Sequence, residues 1–184
     1  KIDNVKWIRL FYLYPTYFDD ELLEIITKEE KICKYVDIPL QHISDSVLRR
    51  MHRRDSSQSI KKLLKKLRNT TPYITIRTTL MVGFPGETEA DFKELLTFIK
   101  AVKFDNMGAF TYSAQDGTPA ARMVDQVTEE IKENRYHELM AAQAEISEEN
   151  NRNLIGVDTE VLVEELLDDG CGNLQAKGRA SFQA

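Results

Sequence analysis

Four short apolar stretches recur along the first two thirds of the chain, with amphipathic segments between them. Residues 7–15, 35–41, 74–82 and 107–113 are rich in β-branched and aromatic side chains and read as strands. The intervening segments read as helices. The first uses Leu22, Leu23, Ile25 and Ile26. The second carries Ile60, Leu63, Leu64 and Leu67 at the i, i+3, i+4, i+7 spacing of a single helix face, which leaves its lysines and Arg68 toward water. The third opens on a capping box, Thr88 with Asp91 three residues on, and continues through Phe92, Leu95, Leu96, Ile99 and Val102. Strand and helix alternate four times, and such an order predicts parallel strands covered by helices, an α/β fold. A long charge-rich helix follows over 128–154, with Ile131, Leu139, Ala142 and Ile146 as its expected buried positions. Strand-like alternation over 157–167, a turn cluster at 168–173 and a second strand over 174–182 end the chain.

In parallel barrels the chemistry gathers where strands end and loops begin. Here the second strand runs into Gln41-His-Ile-Ser44, the third into Gly83-Phe-Pro-Gly86, and the fourth into Tyr112-Ser-Ala-Gln-Asp-Gly-Thr-Pro119. The glycine turn suits close backbone approach to a ligand, and free amides at a helix start suit polar or anionic groups. Strand alternation puts Asp37, Pro39 and Gln41 on one face, and Arg77, Thr79, Met81 and Gly83 on one face. An inward arginine needs a partner. Either Asp37 on the neighbouring strand supplies it, or a carboxylate or zwitterionic ligand does. His42 has no ligand-spaced partner and reads as a loop or supporting residue, whereas His52 and His137 fall in charged helical runs and read as surface residues.

Composition changes this picture little. The chain has 184 residues, 42% of them hydrophobic, and a net charge of −5, enough for one main domain and a small appended one. No signal peptide or membrane span is visible, and with only two cysteines the expectation is a cytoplasmic protein. Cys33 and Cys171 lie far apart, so no metal site or disulfide is expected from them. Beyond position 156, six acids (Asp158, Glu160, Glu164, Glu165, Asp168, Asp169) against Lys177 and Arg179 leave minus four, which favours a basic protein partner over a phosphate backbone. The basic stretch 49–54 and the lysines at 61, 62, 65 and 66 read as outward helix faces rather than an RNA surface.

Three motifs then combine in order. They are Asp37-Ile-Pro-Leu-Gln-His-Ile-Ser-Asp45 with Val47-Leu-Arg-Arg-Met51 and Arg53, Val82-Gly-Phe-Pro-Gly-Glu-Thr88 with Asp91-Phe92, and Phe110-Thr-Tyr-Ser113 with Gly117-Thr-Pro-Ala-Ala121. Together they closely resemble the radical S-adenosylmethionine methylthiotransferases, and the first motif resembles the branch that modifies an aspartate of ribosomal protein S12. The resemblance implies a partial parallel (β/α) barrel over residues 1–155 and the start of a TRAM-type β-barrel domain over 156–184. It also implies a transferase that uses S-adenosylmethionine and 4Fe–4S clusters, cleaves the cofactor to a 5′-deoxyadenosyl radical, and inserts a methylthio group at a C–H bond.

The resemblance implies polar cofactor contacts at Gln41, Ser44, Arg77 and Thr79, and an adenine border at Gly83, Gly86, Phe110, Tyr112 and Ser113. No residue of this chain is assigned a catalytic role or a place as a metal ligand. The family's Cys-x-x-x-Cys-x-x-Cys cluster site is not supplied here. The chain therefore reads as a piece of a longer protein, inactive alone and prone to self-association through open strand edges. Partners implied are ribosomal protein S12 and the small ribosomal subunit, with no membrane. The alternatives are a tRNA adenosine methylthiotransferase and a non-catalytic barrel-derived module that binds protein.

Overall fold

A computed structural model describes residues 3–71, 73–168, 170 and 174–183. Four parallel strands lie in chain order: β1 (Ile8–Leu10), β2 (Ile32–Asp37), β3 (Thr75–Val82) and β4 (Asn106–Thr111). Helices α1 (Asp20–Lys28), α2 (Asp45–Arg50), α3 (Ser57–Thr70), α4 (Glu89–Val102) and α5 (Glu129–Arg152) connect them and follow the last. Beyond α5, β5 (Val161–Asp168) and β6 (Leu174–Ala180) form an antiparallel hairpin. This is the α/β architecture expected from the alternation.

The helices cover one face of the sheet. Ile76, Leu80 and Val82 of β3 are buried with Val36, Leu64, Leu67, Phe92, Leu95, Ile99 and Phe104, while the alternate residues Arg77, Thr79 and Met81 face the other, more open side. Thr78 lies on the covered face and stays satisfied because its hydroxyl donates to the Ile38 carbonyl at 2.9 Å. Helix starts follow local chemistry. Thr88 and Asp91 cap α4 reciprocally as expected, Ser56 and Ser59 do the same for α3, and Asp19 caps α1.

Several boundaries differ from the sequence reading, each for a local reason. The first strand is cut to three residues because Tyr12 turns into the left-handed region and Pro15 opens a short 3-10 turn. The second starts earlier, at Ile32, and ends at Asp37, before Pro39, which has no N–H for the ladder. Residues 45–50 form a separate helix, ended where His52 takes a φ of +56°, so His52 is exposed but in a turn. Arg68 does not simply face water: it ties the start of β3 to the loop before β4, donating to Asp105 at 2.8 Å and to the Ile74 carbonyl. In α5, Ile131 is exposed, and Lys132 and Arg135 are buried on the stripe that continues through Leu139, Ala142 and Ile146.

In the hairpin, β6 places Leu174, Ala176, Gly178 and Ala180 opposite Asp168, Leu166, Val163 and Val161. One face is thus largely apolar, and Val161, Val163, Leu166 and Leu174 are all exposed. On the other face Arg179 pairs with Glu164 at 3.1 Å, and Lys177 lies opposite Glu165. Glu160 pairs with Lys6 at 2.9 Å, so the acidic excess read from the sequence is partly neutralised. The hairpin meets the sheet where Arg9 of β1 donates to the Ala180 carbonyl at 3.2 Å. Asp169 and Cys171 lie outside the described residues.

Candidate functional site

The open face of the sheet and the loops at its carboxyl end converge on one region. Strand register aligns Asp37, Arg77 and Asn106 in one row, Thr79 with Gly108 in the next, and Met81 with Phe110 above them. Arg77 and Asp37 pair at 3.0 Å, so the structural partner anticipated for the arginine is present, yet Arg77 keeps a third of its side chain exposed. Asp37 is fully buried with its Oδ1 in the Arg77 ion pair, whereas the Tyr35 hydroxyl nearby has no hydrogen-bond partner among the described residues. Burial, and after it the Asp37 charge, pushes the Tyr35 phenol pKa up.

At the strand ends a cavity of about 330 Å³ opens between Gln41, Met51, Met81, Phe84, Ala120 and Met123, with Arg50 and Arg53 among its walls. Gln41 reaches it by adopting a φ of +69°, unusual for a side chain with a Cβ. Its amide donates to Thr79 and its carbonyl accepts from Met81, so β3 on both sides holds the strained conformation. Among the described residues four without glycine's freedom take a positive φ: Gln41 and His52 line this cavity, Tyr12 follows β1, and Lys103 ends α4. Strained backbone at a cavity wall, as at Gln41 and His52, is characteristic of functional sites.

The glycine turn behaves differently from the expectation of a free anion cradle. Its amides are already spent: Gly83 and Phe84 donate to Glu87 Oε2 at 2.6 and 3.3 Å, and Gly86 donates to the Asp125 carbonyl at 2.7 Å. The glycines are needed instead for conformation and close packing. Gly83 has a φ of +73° and a Cβ there would lie 2.2 Å from Lys132 Cγ; Gly86 has a φ of +82° and a Cβ would strike the Arg50 guanidinium at 2.4 Å.

Of the remaining expected site residues, Thr79 is half-buried on the open face and Phe110 is exposed there. Tyr112 is buried edge-on against Phe84, ring centroids 5.1 Å apart, with its hydroxyl unpartnered. Ser113 is exposed and accepts a long 3.5 Å bond from Gln115. Ser44 is committed elsewhere. It caps α2, and its hydroxyl donates to Asp91 Oδ1 at 2.5 Å. Burial works against the Asp91 charge, but hydrogen bonds from Ser44, Thr88 and Ser46 outweigh it and hold the carboxyl well below the usual carboxylate range.

A buried ion pair in this region joins Glu87, quoted from the sequence only as part of the glycine motif, to Arg135, which sequence reasoning passed over. Glu87, fully buried, receives Arg135 of α5 at 3.0 Å, and Arg135 also donates to the Glu87 carbonyl at 3.2 Å. Burial pushes the Glu87 carboxyl pKa up, against the opposing pull of Arg135 and the Gly83 and Phe84 amides. His42 lies beside it with Nε2 3.9 Å from Glu87 Oε2, while its Nδ1 accepts from the Ser44 amide. Burial lowers the His42 pKa to about 4, so the imidazole is neutral at pH 7. The only available signal was that Lys132 and Arg135 share a 3-4 spacing with Leu139, Ala142 and Ile146.

The family model described as the radical SAM superfamily matches residues 2–99, more than half of the chain. The chain belongs to the radical SAM superfamily. Its curated relatives include proteins named ribosomal protein uS12 methylthiotransferase RimO. That of Geotalea uraniireducens is 49% identical over 183 residues, covering 100% of this chain and 40% of the relative. That of Citrifermentans bemidjiense is 50% identical over 184 residues, 100% of this chain and 41% of the relative. The chain thus spans about two fifths of the length of the curated relatives it matches. Among solved structures, coproporphyrinogen III oxidase (HemN) from Escherichia coli, a radical SAM enzyme, superposes with a TM-score of 0.62 at 19% identity, over 76% of this chain and 32% of that one. Elp3 of Methanocaldococcus infernus does so with a TM-score of 0.53 at 17% identity, over 73% and 32%. These two likenesses show the fold.

Radical SAM proteins use S-adenosylmethionine and a 4Fe–4S cluster. The open face and mouth fit the first: apolar walls and a third-exposed arginine suit a nucleoside joined to an amino acid. The described residues do not fit the second. Among them no group of three or more His, Cys, Asp or Glu side chains could hold a metal ion, and Cys33 is a buried thiol whose pKa burial pushes up.

Proposed function

We propose that this chain supplies the S-adenosylmethionine-facing part of a radical SAM enzyme that attaches a methylthio group to an aspartate of ribosomal protein uS12. The observation carrying this reading is the half-identity to uS12 methylthiotransferases across the whole chain. S-adenosylmethionine, cleaved reductively at a cluster, provides the radical chemistry of this family.

The chain's own residues bind and orient. Arg77, braced by Asp37, offers its exposed guanidinium edge to the methionine carboxylate, with Thr79 and Gln41 adding polar contacts along the open face. Ser44 contributes by fixing the Gln41 loop onto α4 through Asp91. Gly83 and Gly86 set the turn, and Phe110, Tyr112 and Ser113 border the adenine with Phe84 behind them. Residues 1–155 act as the barrel part, and 156–184 as the opening of a TRAM-type domain that meets the basic protein substrate on the small ribosomal subunit. The enzyme works in the cytoplasm; the chain alone lacks the cluster and is inactive, and its hairpin drives self-association. Among the described residues no helix is long and apolar enough to cross a membrane.

Calorimetric titration of the chain with S-adenosylhomocysteine tests the cofactor site. Wild type is expected to bind, and Arg77→Ala to weaken binding by about tenfold or more; absence of binding by wild type would overturn the reading. Fluorescence anisotropy with labelled uS12 and with tRNA tests the substrate, and a preference for tRNA would replace uS12 with the RNA substrate.

A further inference from the structure

Helix α5 changes character along its buried stripe. Toward its carboxyl end the stripe is Leu139, Ala142 and Ile146, ordinary core; at its amino end, beside the glycine turn, the buried positions are Lys132 and Arg135. Cationic side chains are almost never fully buried unless something there requires them. Both touch the turn directly. The Lys132 stem packs where Gly83 has no Cβ, its ammonium lies 5.4 Å from the centre of the Tyr112 ring and pairs with Glu129 at 2.6 Å. Arg135 lies over the Phe92 ring at 5.5 Å, pairs with Glu87 at 3.0 Å and reaches the exposed Glu89 at 3.5 Å. Glu87 in turn holds the Gly83 and Phe84 amides.

We propose that Arg135 is a positioning residue: acting through Glu87, it locks the turn at 83–86 into the form that borders the adenosyl ligand, so that the seating of α5 sets the ligand affinity of the barrel mouth. The ligand part of this inference rests on the cofactor reading above. The clamp itself rests only on the geometry. Burial pushes the Glu87 pKa up even with Arg135 in place, and Arg135 and the two amides oppose that push; removing the cation takes away the first of these, favours the protonated carboxyl further, and a carboxylic acid accepts less strongly from those amides. The charged and titratable groups facing Glu87 are His42 beyond β2, Asp91 on α4 and Arg135 on α5; Glu89 on α4 pairs with Arg135 on its far side, and Lys132 pairs with Glu129. Among them Arg135 alone makes a cationic contact with Glu87 in the described residues.

The test is amide hydrogen exchange at Gly83 and Phe84, expressed as protection factors between pH 5 and 8, in the wild-type chain and in Arg135→Met, Arg135→Lys and the double variant Arg135→Met with Glu87→Gln. In wild type, protection is expected to fall less toward pH 5 than in Arg135→Met. In Arg135→Met it should drop by about tenfold toward pH 5, return in large part in Arg135→Lys, and become flat in the double variant, where no titratable group remains at position 87. S-adenosylhomocysteine affinity should fall about tenfold in Arg135→Met and recover with lysine. Unchanged protection in a folded Arg135→Met overturns the clamp. If that variant fails to fold, wild-type-like protection across the pH range together with undiminished affinity in Arg135→Gln, which keeps donors but no charge, overturns it instead. Failure of the wild-type chain to bind the ligand would sink the cofactor reading while the exchange profiles still decide the clamp.

Discussion

Replacing Gly83 by alanine probes the junction between the glycine turn and α5. Two costs combine. A residue with a Cβ held at a φ of +73° pays about 1–2 kcal/mol for the left-handed conformation. The new methyl would also sit 2.2 Å from Lys132 Cγ, and Lys132 is only 4% exposed, with its ammonium anchored between Glu129 and the Tyr112 ring. Overpacking of that kind costs about 1–3 kcal/mol, so Gly83→Ala should destabilise the chain by about 2–5 kcal/mol. Gly117 provides the control: its φ is +82° but nothing lies within 4 Å of a built Cβ, so Gly117→Ala should show the conformational cost alone. Lys132→Ala removes the obstructing stem, and in that background Gly83→Ala should cost less by about 1–3 kcal/mol, a coupling expected between touching residues. Urea unfolding followed by far-ultraviolet circular dichroism measures all four variants, with a common m-value required for comparison. If Gly83→Ala costs the same with and without Lys132, or no more than Gly117→Ala, the packing argument is refuted.

Two further outcomes follow from the buried polar network and the hairpin. The His42 imidazole, pKa about 4 when folded and 6.5 when free, leaves the unfolded chain holding the extra proton between those values, so stability is full above pH 6.5 and declines toward pH 4 by about 3 kcal/mol. Urea midpoints against pH should show that slope, and His42→Gln should remove it; an equal slope in the variant would assign the effect to other groups. The exposed Val163 and Leu166 on one hairpin face predict concentration-dependent association in sedimentation velocity, weakened by Val163→Lys with Leu166→Lys; a wild-type chain that stays monomeric at high concentration would contradict it.

Much of this protein was legible from local pattern. Alternating apolar stretches and helix stripes report directly on which side of each element is buried, so the βα order, the α4 capping box and the shared face of Arg77, Thr79 and Met81 could be read from periodicity. Asp37 was one of the two partners that the same parity allowed for Arg77, the other being a ligand, and the structure shows the pair. The motifs carried the family.

Tertiary structure decided what depends on which distant segments meet. Arg135 lies 48 residues from Glu87, and no spacing rule links them; only the docking of α5 against α4 and the turn makes a buried cation affordable there, and so exposes Ile131 instead. The same docking supplies the Glu87 carboxylate with a counter-charge and converts the turn from a free cradle of amides into a closed one. Ser44 likewise had the right position in sequence for a ligand, but a fold that brings Asp91 within 2.5 Å spends its hydroxyl on structure. Periodicity records burial because burial acts on each residue singly; the pairing of buried polar groups acts between residues far apart in the chain, and its outcome exists only once the elements are packed.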